Sequence, residues 1–152
     1  MTLWLLRHGQ AEVHAASDAQ RELTDLGRQE ALQSAAHLLG QPLAAIIVSP
    51  YVRAQQTAQV VRERLGFDGS IITAPWLTPS SDVREAIRQL DAYYGQNVLL
   101  VSHQPLIGEL GGLLLYGHRQ QPLPMRTASL AQLQGEMMAA GSLQLLALHH
   151  PH

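Results

Sequence analysis

Short apolar runs alternate with longer stretches of mixed polarity along the chain, and this alternation predicts the secondary structure. Four short apolar runs predict strands, at residues 3–6, 44–48, 71–73 and 97–101; the first is typical of a strand buried on both faces, and the third is the weakest. Stretches with helical spacing of apolar residues follow them, at residues 25–39, 52–65, 82–94 and 106–116. Two last apolar segments, 129–133 and 142–148, are separated by polar residues and Gly141, as in an antiparallel hairpin. This order predicts an α/β fold, a three-layer α/β/α sandwich around a mostly parallel sheet with an antiparallel C-terminal hairpin.

The length of the chain, 152 residues, suits one compact domain. We expect this domain at residues 1–148 and a disordered tail at residues 149–152, where the sequence is biased to histidine. No stretch reaches the ~18 apolar residues that a membrane-spanning helix needs. The N-terminal apolar run has no basic leader before it, so we expect a mature, soluble and cytoplasmic protein.

Charge and composition exclude several classes of chemistry. The net charge is -2, with 10 basic and 12 acidic residues, which argues against nucleic acid as a partner. All the basic residues are arginine, so Schiff-base chemistry and a P-loop lysine are excluded. The absence of cysteine excludes a thiol nucleophile and a thiolate metal site. Anion binding must therefore depend on arginine, histidine or backbone amides.

Basic and polar side chains gather where the predicted strands end. The first strand leads into Arg7 and His8, the second into Ser49 with Arg53 a turn later, and the fourth into Ser102 and His103. In open α/β sheets the site usually lies beyond the carboxyl ends of the strands, so we expect the arginines and histidines to meet in one cleft. Guanidinium groups match phosphate oxygens, and imidazoles donate hydrogen bonds or attack. No cluster of acidic metal ligands accompanies them, which favours a histidine nucleophile over metal-assisted chemistry.

Three motifs in this order resemble the signatures of one family. Residues 6–9 read LRHG, residues 49–58 read SPYVRAQQTA, and residues 101–105 read VSHQP. These are similar to the three signatures of the histidine phosphatase superfamily, also called the phosphoglycerate mutase-like or branch 1 group. The resemblance runs from residue 3 to about residue 133, and it implies a phosphoglycerate mutase-like version of the predicted fold.

Further segments resemble the SixA type of phosphohistidine phosphatase within that superfamily: residues 16–18, 23–24 with Gly27, 77–79 with 82–83, and 102–108. The resemblance implies that His8 attacks phosphorus, that Arg7, Arg53 and His103 hold the phosphoryl oxygens, and that water then hydrolyses a phospho-His8 intermediate. It also implies that the substrate is phosphohistidine on a partner protein, either a phosphotransfer domain or a phosphotransferase-system protein. Phosphate-mimicking anions should bind in the same place, and no cofactor or metal is implied.

The two site histidines have opposite chemical needs. For His8 to attack, one ring nitrogen must be unprotonated while the other is held by a hydrogen bond, and we expect a backbone carbonyl near Gly9 as its partner. His103 binds negative charge best as the imidazolium. We therefore expect the two rings to occupy different protonation states near neutral pH, enforced by the arginines and nearby carboxylates.

The spacing between the second and third motifs bears on the substrate. Only 50 residues separate Arg53 from His103, and two predicted helices and two predicted strands already use them. No room remains for a lid, so we expect a shallow, open pocket that a phosphorylated protein surface can approach. A phosphoramidate leaves as neutral imidazole once its ring is protonated, so it depends less on an enzyme acid than an alkyl ester does.

Secondary contacts with the phosphate or the substrate are expected from Arg21, Ser102 and Asp82. Arg21 lies in the loop before the first predicted helix and is a candidate contact for the phosphate or the partner. Ser49 and Ser102 are expected to orient their loops, and Asp82 and Glu85 are the nearby acidic candidates.

Two other readings of the four-residue pattern stay open beside a phosphohistidine phosphatase. One is a phosphatase of small phosphate monoesters, and the other is a module that binds phosphohistidine without turnover. A histidine-based metal protein is a more distant alternative.

Overall fold

A six-stranded mixed sheet forms the centre of the molecule in the computed structural model, which describes residues 1–152. The strands are β1 (Thr2–Arg7), β2 (Ala45–Val48), β3 (Ser70–Thr73), β4 (Val98–Ser102), β5 (Leu130–Gln134) and β6 (Gln144–His149). Their order across the sheet is β3-β2-β4-β1-β5-β6. The first four strands are parallel, and β5 pairs antiparallel with both β1 and β6. The predicted mostly parallel sheet with an antiparallel C-terminal hairpin is confirmed.

Four α-helices cover the two faces of the sheet: α1 (Asp25–Ala36), α2 (Val52–Leu65), α3 (Val83–Leu90) and α4 (Leu106–Tyr116). A core cluster of 22 buried residues packs α3 and α4 on one face, and a cluster of 12 packs α1 and α2 on the other. Successive strand side chains point to opposite faces, so Leu5 belongs to the first cluster and Trp4 and Leu6 to the second. The longest helix has 14 residues, and no helix has both the length and the hydropathy of a bilayer-spanning segment.

Several element boundaries differ from the prediction by one or more residues, among them the ends of α1, α3 and β6. Helix α1 ends at Ala36 rather than at residue 39, because the amide of His37 bonds to Ser34 three residues back and the chain tightens into a turn. Helix α3 ends at Leu90 and continues only as a 3-10 turn over Asp91–Tyr93. Strand β6 extends to His149, one residue beyond the predicted domain boundary.

The residues expected to form a tail lie against the body of the molecule in this structure. The His150 ring is 2.5 Å from Ser129 Oγ, and His152 Nε2 is 3.2 Å from the buried carboxylate of Glu30. The domain boundary at residue 148 and the disorder of the tail stay predictions, to be tested in solution.

The register of the sheet brings three strand ends to one edge. Arg7 at the end of β1 lies beside Ser102 at the end of β4, and Val48 at the end of β2 lies beside Val101. The residues that follow these strands therefore emerge next to one another. Because β1 and β4 are neighbours only across the sheet, segments about 95 residues apart along the chain meet here.

Candidate active site

Four side chains predicted from the strand ends come together at this edge of the sheet. Arg7 ends β1 and His8 follows it, Arg53 lies in the first turn of α2, and His103 follows β4. The rings of His8 and His103 are 4.9 Å apart between centroids, and Arg53 Nε lies 3.3 Å from His8 Nε2. His8, Arg53 and His103 are all buried. The geometry thus forms one basic pocket from three separate parts of the chain.

The His8 ring is held in one tautomer by its own loop. Its Nδ1 lies 2.7 Å from the carbonyl oxygen of Gly9, which can only accept, so Nδ1 carries the proton. Its Nε2 is then left with a lone pair, and Arg53 Nε donates to that nitrogen. The amide of His8 also donates to the carbonyl of Ser102 on the adjacent strand. The backbone carbonyl expected near Gly9 is therefore found, and Nε2 is the ring atom that carries the lone pair needed for attack.

A threonine that the sequence reasoning did not single out fixes this loop to α2. The amide of Gly9 donates to Thr57 Oγ1 over 3.1 Å, and the Thr57 hydroxyl in turn donates to the carbonyl of Arg53 over 2.9 Å. Thr57 is fully buried. It lies inside the second motif, and its spacing of one helical turn from Arg53 was the only signal that could have indicated it.

His103 is positioned by the loop after β2. Its Nε2 lies 2.7 Å from Ser49 Oγ, which also accepts the amide of Tyr51. The Tyr51 ring meets the imidazole edge-on at 5.1 Å between centroids. His103 Nδ1 is buried and has no partner within the chain. Ser49 therefore orients a ring whose other nitrogen is left available for a ligand, in line with the expectation that this serine has an orienting role.

Both histidines are neutral near neutral pH, so the expectation that they differ in protonation is wrong for the free protein. Burial lowers the pKa of His8 from 6.5 to about 4, against the opposing bond to Gly9 and with help from the nearby arginines. Burial, then His8 and Arg53, lower the pKa of His103 from 6.5 to about 2. The only carboxylate that opposes this at His103 is Asp18, and its effect is smaller than that of burial and the neighbouring bases.

Arg7 reaches the pocket from the other side. Its Nη1 donates to the carbonyl of Met125 over 3.0 Å, whereas its Nε is buried without a partner. Burial lowers the pKa of Arg7, with Glu30 opposing that shift, yet an arginine stays charged at any physiological pH. Nε of Arg7 and Nδ1 of His103 are the two buried side-chain nitrogen or oxygen atoms that have no hydrogen-bond partner in this protein. Both belong to the pocket, and an oxyanion would satisfy them.

The loop before α1 contributes a residue that the sequence reasoning named only as part of a resemblance. Asp18 accepts from Arg53 twice, through its backbone carbonyl at 2.7 Å and its carboxylate at 3.2 Å. Its other carboxylate oxygen accepts from Arg21 Nη1 at 3.0 Å. Arg21 thus lies beside the pocket through Asp18. No periodicity marks this loop, so only the folded chain reveals the contact.

The remaining secondary candidates make contacts outside the pocket. Ser102 Oγ is buried and donates to the carbonyl of Leu77. Asp82 is exposed and caps α3 by accepting from the amide of Arg84, and Glu85 pairs with Arg88. None of these side chains hydrogen-bonds to the four pocket residues, so a role in substrate binding stays a prediction. No group of three or more histidine or acidic side chains is arranged to hold a metal ion.

Comparison with known proteins agrees with this geometry. Residues 3–78 match the histidine phosphatase superfamily (branch 1). A protein of Escherichia coli (strain K12) named phosphohistidine phosphatase SixA is 37% identical over 134 residues, which cover 85% of this chain and 81% of that protein. A SixA homolog of Haemophilus influenzae is 36% identical over 145 residues, covering 88% and 87%. A solved structure of the protein histidine phosphatase SixA complexed with tungstate has a TM-score of 0.90 and 33% identity, covering 99% of this chain and 97% of that one.

Proposed function

Because this chain belongs to branch 1 of the histidine phosphatase superfamily, we propose that it is a phosphohistidine phosphatase that works through a phospho-His8 intermediate. The relatives that cover most of the chain carry that name, and one solved relative holds tungstate, an anion that resembles phosphate. The observation that carries the mechanism is the state of His8. Its Nδ1 is bonded to Gly9 and its lone pair on Nε2 points to the atom Nε of Arg53.

In the first step, Arg53 Nε transfers its hydrogen bond from His8 Nε2 to an entering phosphoryl oxygen, and the released lone pair of Nε2 attacks phosphorus as the P–N bond to the substrate imidazole breaks. The electron pair of that bond stays on the leaving nitrogen, so a ring that is already protonated on its other nitrogen departs as neutral imidazole. Arg7 and Arg53 stabilise the negative charge on the phosphoryl oxygens.

His103 acts as a neutral donor in this mechanism. Ser49 can donate its hydroxyl proton to Nε2, which leaves a proton on Nδ1 for a phosphoryl oxygen. Water completes the cycle by hydrolysing phospho-His8, which releases inorganic phosphate and restores the neutral nucleophile.

The segment between α2 and β4 supports a protein as the substrate. It contains only β3, α3 and two short 3-10 turns, over Pro75–Leu77 and Asp91–Tyr93, and no inserted segment of the size of a lid. A phosphorylated side chain on another protein can therefore approach His8 directly. The proposed partner is a phosphohistidine-bearing protein, either a phosphotransfer domain or a phosphotransferase-system protein, and the proposed location is the cytoplasm.

Trapping of the intermediate tests the proposal. The protein is mixed with a phosphohistidine-bearing protein labelled with 32P and quenched in alkali, where phosphohistidine survives. Wild-type protein should carry label on His8, and His8→Ala should lose both the label and the turnover, by at least roughly a factor of 10³. His118→Ala, which removes an exposed histidine, is the matched control and should behave as wild type.

Two results would contradict the proposal. A tight complex with no label and no turnover would identify a binding module. Much faster hydrolysis of sugar or glycerate phosphates than of the phosphorylated protein would identify a phosphatase of small esters.

A further inference from the structure

A carboxylate lies on the solvent side of the buried arginine in the pocket. Asp18 Oδ2 is 3.2 Å from Arg53 Nη2, and the Asp18 side chain is 57% exposed whereas that of Arg53 is 5% exposed. The other oxygen of the carboxylate pairs with Arg21 at 3.0 Å. Asp18 therefore lies at the mouth of the pocket, between the guanidinium that faces His8 and the space from which a substrate arrives.

This carboxylate is ionised, and its field reaches the reacting groups. Its hydrogen bond to Arg21, followed by the charge of Arg53, lowers the pKa of Asp18. Its negative charge also acts on His103, where it raises the pKa against the other neighbours. A crevice of about 350 Å³ opens beside it, lined by Val13, Ala15, Ser17, Asp18 and Arg21. Open space therefore lies next to the carboxylate, on the side of Arg21 and away from the four pocket residues.

The charge on the leaving group separates the candidate substrates. When the imidazole of phosphohistidine is protonated on its free nitrogen, the leaving ring carries a positive charge until the P–N bond breaks. Small phosphate esters that carry a carboxylate or a second phosphate bring negative charge to the same position. The carboxylate of Asp18 attracts the first group, and because it offsets the positive charges of Arg21 and Arg53 it weakens their attraction for the second.

We propose that Asp18 selects substrates by the charge of the leaving group, favouring a phosphorylated imidazolium and rejecting phosphate esters that bear a second anion. This inference rests on the proposed phosphohistidine phosphatase activity. Asp18 transfers no proton: it stabilises the protonated ring, and the electron pair of the breaking P–N bond neutralises that ring as it leaves. The contact with Arg53 is a separate, positioning role of the same side chain.

The variant Asp18→Asn tests this with two readouts. If Asp18 only positioned Arg53, the substitution would weaken both catalysis and the binding of phosphate esters. The first is kcat/KM for N-phosphohistidine, and the second is the inhibition constant of 3-phosphoglycerate in the same assay. We expect kcat/KM to fall roughly 5- to 10-fold and 3-phosphoglycerate to bind several-fold tighter, as for removal of a partly exposed charge. Glu12→Gln removes an exposed charge from the same loop without touching Arg53, and it should change neither value.

Charge selection is supported if kcat/KM falls while 3-phosphoglycerate binds more tightly, which lowers its inhibition constant. If 3-phosphoglycerate binds more weakly to Asp18→Asn while kcat/KM also falls, Asp18 only positions Arg53 and the inference is overturned. Unchanged values for both readouts overturn it as well. If wild-type protein dephosphorylates neither N-phosphohistidine nor the phosphohistidine-bearing protein, the proposed function fails and this inference fails with it. If that activity is present and only the Asp18→Asn results disagree, this inference alone fails.

Discussion

At the scale of single residues, the Thr57 hydroxyl connects the nucleophile to the arginine beside it. It accepts from the amide of Gly9, whose carbonyl holds the His8 ring, and donates to the carbonyl of Arg53. One buried oxygen thus fixes the relative positions of His8 and Arg53 without touching the substrate. Because reactive geometry is sensitive to shifts of about 1 Å, a loss of this oxygen should affect the rate.

We expect Thr57→Val to lower kcat/KM for phosphohistidine roughly 10- to 100-fold, because it keeps the shape of the side chain but leaves the buried amide of Gly9 unpaired. Thr57→Ser retains the hydroxyl and should stay within about 3-fold of wild type. Single-turnover formation of phospho-His8 measures the effect on the chemical step. Equal losses in the two variants would mean that packing of the methyl group, and not the hydroxyl, is what matters.

At the scale of elements, α1 packs against the loop that carries the nucleophile with no space for side chains between them. A Cβ added at Gly27, in the first turn of α1, would overlap the carbonyl of Gln10, and one at Gly9 would overlap the carbonyl of Gly27. The helix begins just before this contact, where Thr24 accepts the amide of Gly27. The paired glycines let backbone meet backbone, so the position of α1 supports the position of the His8 loop.

Gly27→Ala should therefore destabilise the protein by about 1–3 kcal/mol, the usual cost of overpacking a close contact. Helix propensity alone predicts the opposite, a gain of about 0.5–1 kcal/mol. Urea unfolding followed by circular dichroism distinguishes the two signs. Gln29→Ala, on the exposed face of the same helix, serves as the control and should change stability by less than about 0.5 kcal/mol. A more stable Gly27→Ala would show that α1 can move away from the loop freely.

At the scale of the whole molecule, folding buries two neutral histidines among arginines. The pKa of His8 falls to about 4 and that of His103 to about 2, each from 6.5. Between pH 6.5 and these lowered pKa values, the two histidines bind protons in the unfolded chain but not in the folded chain. The contribution of these two groups to the free energy of unfolding is therefore at its full value above pH 6.5, and it decreases as the pH falls below 6.5.

We expect the free energy of unfolding to fall by about 1.4 kcal/mol per pH unit for each of the two histidines as the pH drops from about 6 to 4.5. Urea titrations across this range measure the slope. The double variant His8→Asn with His103→Asn lacks both groups and should show a shallower slope, whatever its absolute stability. Parallel slopes for the two proteins would contradict the pKa shifts.

Local patterns predicted the elements because the burial of one face of a strand or helix places apolar residues at regular short spacings along the chain. The apolar runs predicted all six strands. Gly66, which caps the C-terminal end of α2, marked the end of that helix at Leu65. The ends of α1 and α3 were less accurate, since the tightening of a last helical turn depends on tertiary contacts. The family resemblance carried by the three motifs is confirmed.

The sequence by itself determined the elements, the fold class and the four residues that meet at the strand ends, because the carboxyl ends of parallel strands share one edge of a sheet. It could not determine the protonation of His8 and His103, since a pKa depends on the burial and charges that folding assembles around a ring. Nor could it identify Asp18 or Thr57 as contacts of the site. Those side chains reach Arg53 and Gly9 only after a loop without periodicity and a helix have packed together, and no spacing along the chain encodes that approach.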